Sequence, residues 1–340
     1  MAKQQTRNSE RAGVSSGTAS AKKRGAVAAR KSAKQQPKHN GGAFLDLPPA
    51  ASDYAAAAVV VLPLPFEESV SYGGGTAAGP QAIITASQQV ELYDARRDRE
   101  PAMIYGIHTL PVPRVFGRKG ASAADLLDAI ADETAAHLGA GKFVLALGGE
   151  HTASLGVARG VARERGNFTL VHIDAHADLR DEYEGDPLSH ACVVRRIAEL
   201  PECEAVLQLG IRSTSKEQMD FVREHRKNAH PLVRCWFAWD MHRDKRWKDE
   251  FRDCVKGKRV FFTFDVDGLD PAIVPATGTP EPNGLSWRQL MRIARITAEN
   301  AACCVAMDCL ELAPVPGLHH ADFTVARALY EMLSCFMLDS

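Results

Sequence analysis

Six residues of this chain have types and spacing suited to joint chemistry: His151, Asp174, His176, Asp178, Asp265 and Asp267. Each set follows a short apolar segment. Gly148-Gly149-Glu150-His151 comes after residues 143–147, Asp174-Ala175-His176-Ala177-Asp178 after residues 168–173, and Asp265-Val266-Asp267 after residues 259–264. In an extended chain residues i, i+2 and i+4 project to one side, so Asp174, His176 and Asp178 converge, as do Asp265 and Asp267. Four carboxylates gathered with two imidazoles raise one another's pKa values unless cations balance them. Two divalent ions do so, four positive charges against four negative. An oxygen-rich set with some imidazole and no thiolate suits manganese or a related ion, not structural zinc. Two such ions about 3.5–4 Å apart acidify a water between them towards a pKa of about 7, making a nucleophile available at neutral pH. A lone Asp after a strand is ordinarily a helix N-cap. Six ligand-type residues at three strand ends are the most specific signal in the chain.

The elements that must hold these residues are legible around them. Apolar runs rich in Val, Leu and Phe predict strands over residues 57–62, 143–147, 168–173, 205–209, 259–264 and 302–310, without the strict alternation of a half-exposed sheet. Between them, helical patterns cover residues 121–138, 152–164, 286–299 and 321–333. Ser286 followed three residues later by Gln289 has the capping-box pattern. Strands alternating with helices predict an α/β domain with a parallel sheet covered on both faces. Such sheets place ligands at the carboxyl ends of their strands, where the six residues stand.

Charge divides the chain unevenly. Residues 1–40 hold ten Lys/Arg and one acid, Glu10, for a net +9; the other 31 basic and 41 acidic residues give −10. The tail has no aromatic, Leu or Ile, so it cannot bury enough apolar surface to offset ordering and is expected to be disordered. It reads first as a solvated extension and second as a basic arm touching nucleic acid or an acidic surface. A transit peptide would need an apolar face that it lacks. Residues 41–340 then form a single catalytic domain. No apolar run reaches the roughly 18 residues of a membrane helix, and no secretory signal precedes the body. The eight cysteines contain no C-x-x-C pair and read as small hydrophobes in a reducing compartment, with the cytoplasm as the default. Gly73-Gly74-Gly75 lacks the preceding strand of a dinucleotide loop and reads as a flexible loop at the mouth of the site. Asn167-Phe168-Thr169 is a sequon in form only, since it opens a strand that reads as buried, and His319-His320 has no metal-binding partner in the pattern.

The segments 148–155 (GGEHTASL), 174–196 (DAHADLRDEYEGDPLSHACVVRR), 264–286 (FDVDGLDPAIVPATGTPEPNGLS) and 308–314 (DCLELAP) resemble the signatures of the ureohydrolase family, which includes arginase, agmatinase and guanidinobutyrase. The resemblance covers all but the tail. It implies a three-layer α/β/α arginase-like fold with a central, mainly parallel sheet. It also implies two Mn²⁺ per subunit and hydrolysis of a guanidinium group to urea and an amine. By matching positions, His151, Asp174, Asp178 and Asp265 would bind one or other ion, with Asp174 and Asp265 bridging, and His176 and Asp267 complete the set. Glu311 matches the glutamate that pairs with the guanidinium, and His190 the histidine that passes a proton to the leaving amine. Asp178 would also orient the attacking oxygen. Family members assemble as trimers or hexamers, so a homo-oligomer is expected. Asn283 stands where the family often has Gly; Asn tolerates positive φ, so the turn should survive.

Substrate choice is read from the stretch after Asp178. Asp181, Glu182 and Glu184 predict an acidic rim that would repel a substrate carboxylate and accept a free chain or second amine. This favours agmatine, converted to putrescine and urea in polyamine biosynthesis. Aminopropylagmatine, guanidinobutyrate and arginine are the alternatives, with Arg180 available to a carboxylate. Outside this family, zinc deacetylases share the fold but hold one ion with a smaller ligand set. A nucleic-acid-associated role for the tail would leave the ligand set unexplained.

Overall fold

Eight segments, most of them continuously apolar, pair into one parallel sheet in the computed structural model, which describes residues 42–70, 72–226 and 230–339. They are β1 (Val59–Leu64), β2 (Ile107–Thr109), β3 (Phe143–Gly148), β4 (Phe168–Ile173), β5 (Cys203–Ile211), β6 (Leu232–Phe237), β7 (Arg259–Asp265) and β8 (Cys303–Leu310). Their order is β2-β1-β3-β8-β7-β4-β5-β6. All six predicted strands form, with ends displaced by a few residues. Only the two edge strands escape the sequence pattern. β2 has three residues, only the first of them buried, and β6 is buried only at Val233 and Trp236, because an edge faces solvent, whereas β1, β3 and β4 are buried throughout.

Successive side chains of each strand feed two separate cores. Val59, Val61, Leu145, Leu147, Phe262, Phe264 and Met307 pack with helices Gly79–Ser87, Trp247–Val255, Trp287–Asn300 and His319–Leu338. Val60, Leu62, Val144, Ala146, Leu170 and Phe261 pack with helices Ala123–Gly139, Ala153–Arg165, Val193–Ala198 and Lys216–Glu224. A helical layer on each side of the sheet follows directly, the three-layer arrangement expected. The four predicted helices are all present. Ser286 caps its helix as anticipated: its Oγ accepts from Gln289 N–H at 3.3 Å, and Gln289 Oε1 accepts from Ser286 N–H at 2.9 Å. Asn283 takes φ 64°. The eight cysteines are unpaired. Among the described residues no helix is long and apolar enough to cross a membrane. The tail, residues 1–40, lies outside the described residues, and those described belong to one compact unit.

Register brings the chemistry to one level. Leu147, Cys309, Phe264 and Ile173 are paired in a single row across β3, β8, β7 and β4. The residues immediately after that row are Gly148, Leu310, Asp265 and Asp174, so the segments bearing His151, Glu311, Asp265 and Asp174 leave four adjacent central strands together. The turn after β3 needs glycine for space. A Cβ on Gly149 would lie 2.0 Å from the carbonyl oxygen of Phe66. Gly149→Ala is therefore expected to destabilise the fold by about 1–3 kcal/mol and to displace His151, read as a lowered melting temperature and weaker Mn²⁺ binding.

Candidate metal centre

The six residues proposed as ligands meet at this edge. His151 Nδ1 lies 3.1 Å from Asp174 Oδ2, 3.1 Å from Asp265 Oδ2 and 3.4 Å from Asp178 Oδ2. His176 Nδ1 lies 3.0 Å from Asp267 Oδ2 and 3.5 Å from Asp174 Oδ1. Asp174 belongs to both groups of side chains close enough together to hold an ion, one with His151, His172 and Asp178, the other with His176 and Asp267. Backbone N–H groups aim the carboxylates: His176 N–H donates to Asp174 Oδ1 at 2.6 Å, Asp267 N–H to Asp265 Oδ1 at 2.8 Å, and Ala175 N–H to Asp267 Oδ1 at 3.0 Å. Asp178 is held at φ 50° and Glu311 at φ 66°. Non-glycine residues in that region cost about 1–3 kcal/mol each, a strain typical of functional positions.

The electrostatics call for cations. Burial, with Asp267 and Asp174 nearby, holds the Asp265 carboxyl well above the usual carboxylate range, and burial and Asp174 raise Asp267 as well. Burial also opposes charge on Asp174, but His172 and His151 bring it well below that range. Burial disfavours the charged form of His151, yet Asp174, Asp178 and Asp265 raise it well above the ordinary imidazole value. The donor set fits a metal. His151 Nδ1 is buried among three carboxylate oxygens and still makes no hydrogen bond. A buried nitrogen and carboxylate oxygens facing a common point, without the direction of an N–H···O bond, match a divalent-cation site.

A second row of polar side chains supports this one. His172, Thr263 and Asp308 are partners across β4, β7 and β8, and His172 is also opposite Gln208 on β5. All four are buried. Gln208 Nε2 donates to Ala177 O at 2.7 Å and to His172 Nδ1 at 3.0 Å, which leaves His172 Nε2–H to donate to Asp174 Oδ2 at 2.8 Å. His172 thus orients a carboxylate and has no lone pair left for a metal. Thr263 Oγ1 lies 2.9 Å from His151 Nε2. Burial raises the Asp308 carboxyl beside it to about 6, against the pull of Thr263. The sequence reading passed over His172, although the alternation running forward from Asp174 to His176 and Asp178 runs back to it too.

A cavity of about 200 Å³ opens onto the cluster, lined by His151, His176, Asp178, Asp265, Asp267, His190 and Glu311. It is smaller than the roughly 300–1,000 Å³ of pockets for drug-sized ligands, so it suits a small metabolite. Glu311 Oε1 accepts from His151 N–H at 2.6 Å, and burial raises its carboxyl to about 8 against that pull. Gly73 and Tyr72 also line the cavity, which puts the glycine-rich loop at its wall. The acidic stretch is placed differently from its expected position. Arg180 and Tyr183 line the cavity, the guanidinium 5.3 Å over the ring, whereas Asp181, Glu182 and Glu184 are exposed and do not line it. Tyr183 and Asp186 exchange two backbone hydrogen bonds, a tight turn that carries the intervening Glu184 outwards, and Asp181 is paired with Arg196.

The arginase-family model matches residues 57–335. The chain is 37% identical over 286 residues to the N(1)-aminopropylagmatine ureohydrolase of Synechocystis sp., covering 84% of this chain and 90% of that protein. It is 34% identical over 270 residues to the agmatinase of Bacillus anthracis, covering 79% and 88%. The solved agmatine ureohydrolase of Thermoplasma volcanium superposes with a TM-score of 0.69 at 27% identity, covering 85% of this chain and 92% of that one. The matched span contains all eight strands, the six clustered acids and histidines, and the residues lining the cavity. The chain belongs to the arginase family, as a ureohydrolase acting on guanidino compounds.

Proposed function

We propose that the protein hydrolyses agmatine to putrescine and urea, with His151, Asp174, His176, Asp178, Asp265 and Asp267 holding two Mn²⁺. The observation that carries this is the convergence of five of those residues with Glu311 in the lining of one small cavity, with Asp174 buried against His151 and His176. Two divalent ions held there would balance the carboxylates and would supply an activated water. The chain's own groups do the rest. Glu311 pairs its carboxylate with the cationic guanidinium, a bidentate match in geometry and charge that fixes the guanidino carbon. Asp178 accepts a hydrogen bond from the attacking water and orients it. As the carbon–nitrogen bond to the alkyl chain breaks, His190 gives a proton to the departing amine nitrogen. The activity resides in residues 41–340. The unpaired cysteines support a cytoplasmic location, and the family resemblance supports a trimer or hexamer.

A second reading, N(1)-aminopropylagmatine as the substrate, is favoured by the Synechocystis relative. Because Asp181, Glu182 and Glu184 lie off the cavity, selection against a substrate carboxylate falls to its walls. Initial rates of urea release on agmatine, aminopropylagmatine, arginine and guanidinobutyrate decide between them. One of the two amine-ended compounds is expected to exceed both carboxylates by at least tenfold in kcat/KM, about 1.4 kcal/mol. Equal rates on arginine would remove both readings.

A further inference from the structure

Arg212 has no part in the chemistry above, yet it ties together the strand ends that carry His176 and Asp267. It is the first residue after β5, whose pairing with β6 shifts register between Leu209 and Ile211. Gly210 takes up that irregularity at φ 98°, and such a bulge re-aims the side chains beside it. The Arg212 side chain runs across the end of β4 to the loop after β7. Its Nη2 donates to Asp267 O at 2.7 Å and Leu269 O at 3.2 Å, and its Nη1 to Gly210 O at 3.2 Å and Gly268 O at 3.3 Å. Nη2 also donates to Glu281 O at 2.7 Å, and Nε to Pro282 O at 3.0 Å and Glu281 O at 3.2 Å. Every one of these acceptors is a backbone carbonyl. A planar guanidinium with five N–H donors can hold carbonyls on two loops at once, a spread that a single ammonium cannot match.

The bonds close a ring around one of the six clustered residues. Arg212 N–H donates to Ala175 O at 2.8 Å. Ala175 N–H donates to Asp267 Oδ1 at 3.0 Å, and Asp267 O accepts from the Arg212 fork. The ring passes through the residues that follow β5, β4 and β7, three neighbours in the sheet. Asp267 Oδ2 is left facing His176 Nδ1, 3.0 Å away. None of the bonds made by Arg212 goes to His151 or Asp178. We propose, on the two-ion reading above, that Arg212 is a positioning residue for the ion held by His176 and Asp267. It fixes the backbone from which Asp267 presents its carboxylate, so its loss weakens that position first and leaves the ion beside His151 bound. Its charge acts the other way, because a cation beside the cluster repels metal ions. A role through geometry and a role through charge therefore give opposite results.

The test is a Mn²⁺ titration of the metal-freed, full-length protein, with free Mn²⁺ counted from its electron paramagnetic resonance signal. The melting temperature of each metal-free variant is recorded beside it. The unmodified protein is expected to bind two ions. Arg212→Lys keeps the charge and loses the fork. It should hold one ion at unchanged affinity and the other about 10- to 100-fold more weakly, the loss typical of removing a group that orients a ligand. Arg212→Gln should weaken the same ion, although it removes a positive charge. If one of these variants does not fold, the other decides, since each loses the fork. In a His176→Asn background, where that position is already impaired, adding Arg212→Lys should leave the remaining ion unaffected. Unchanged affinity for both ions in Arg212→Lys would overturn the inference while leaving the two-ion reading in place. So would equal weakening of both ions, tighter binding in Arg212→Gln, or a further loss in the His176→Asn background. Fewer than two ions on the unmodified protein would instead remove the two-ion reading, and the inference with it.

Discussion

Asp174→Asn is expected to lower kcat/KM by about 10³-fold or more and to leave fewer than two Mn²⁺ bound per chain. Asp174 belongs to both groups of side chains that could hold an ion, so under the proposed ligand assignment its loss would weaken both positions together. Each metal contributes several kcal/mol of catalysis, and about 4 kcal/mol corresponds to 10³-fold in rate. The fold should survive, because Asn keeps the shape of Asp and one oxygen, which can accept from either His172 Nε2–H or the His176 N–H. Elemental analysis beside urea release checks the prediction. A variant that retains two Mn²⁺ and full rate would show that Asp174 is not a ligand.

Glu311→Gln should leave the metals in place and still cost about 10²- to 10⁴-fold in kcat/KM. The substitution keeps the shape of the side chain and an oxygen for the His151 N–H. In the proposed binding mode it removes the negative charge that Glu311 would hold opposite the guanidinium. Leaving one member of a desolvated charge pair alone costs about 3–5 kcal/mol, which is that range of rate. The contrast between the variants is informative. Asp174→Asn loses metal and rate together, whereas Glu311→Gln loses rate alone. Loss of Mn²⁺ from Glu311→Gln would mean that Glu311 supports the metal site through His151, with the guanidinium held elsewhere.

Local pattern made most of this site legible, and long-range geometry hid the rest. The buried strands are continuous apolar runs, and their ends carry ligands at spacings of two, so Asp174, His176 and Asp178 announce themselves within five residues. β2 and β6 lie at the edges, where half-solvated positions interrupt the run. Glu311 and His190 carry no spacing signal. Glu311 reaches His151 across 160 residues because β8 inserts beside β3, and only the resemblance to a family pointed to it. The row of His172, Thr263, Asp308 and Gln208 requires the register of four strands, which apolar periodicity does not encode. The acidic loop is the instructive reversal. Its composition was legible, but a turn between Tyr183 and Asp186 decides which side chains face inwards, and it selects Tyr183.

The most direct test of a metal-dependent guanidino hydrolase is to count products from agmatine before and after metal removal. Protein loaded with Mn²⁺ is expected to release urea and putrescine in equal amounts. After exhaustive chelation, with metal shown to be absent, release should stop, and Mn²⁺ should restore it. Sustained turnover by the metal-free protein would contradict the account, as would failure of the Mn²⁺-loaded protein to release urea from any of the four guanidino compounds.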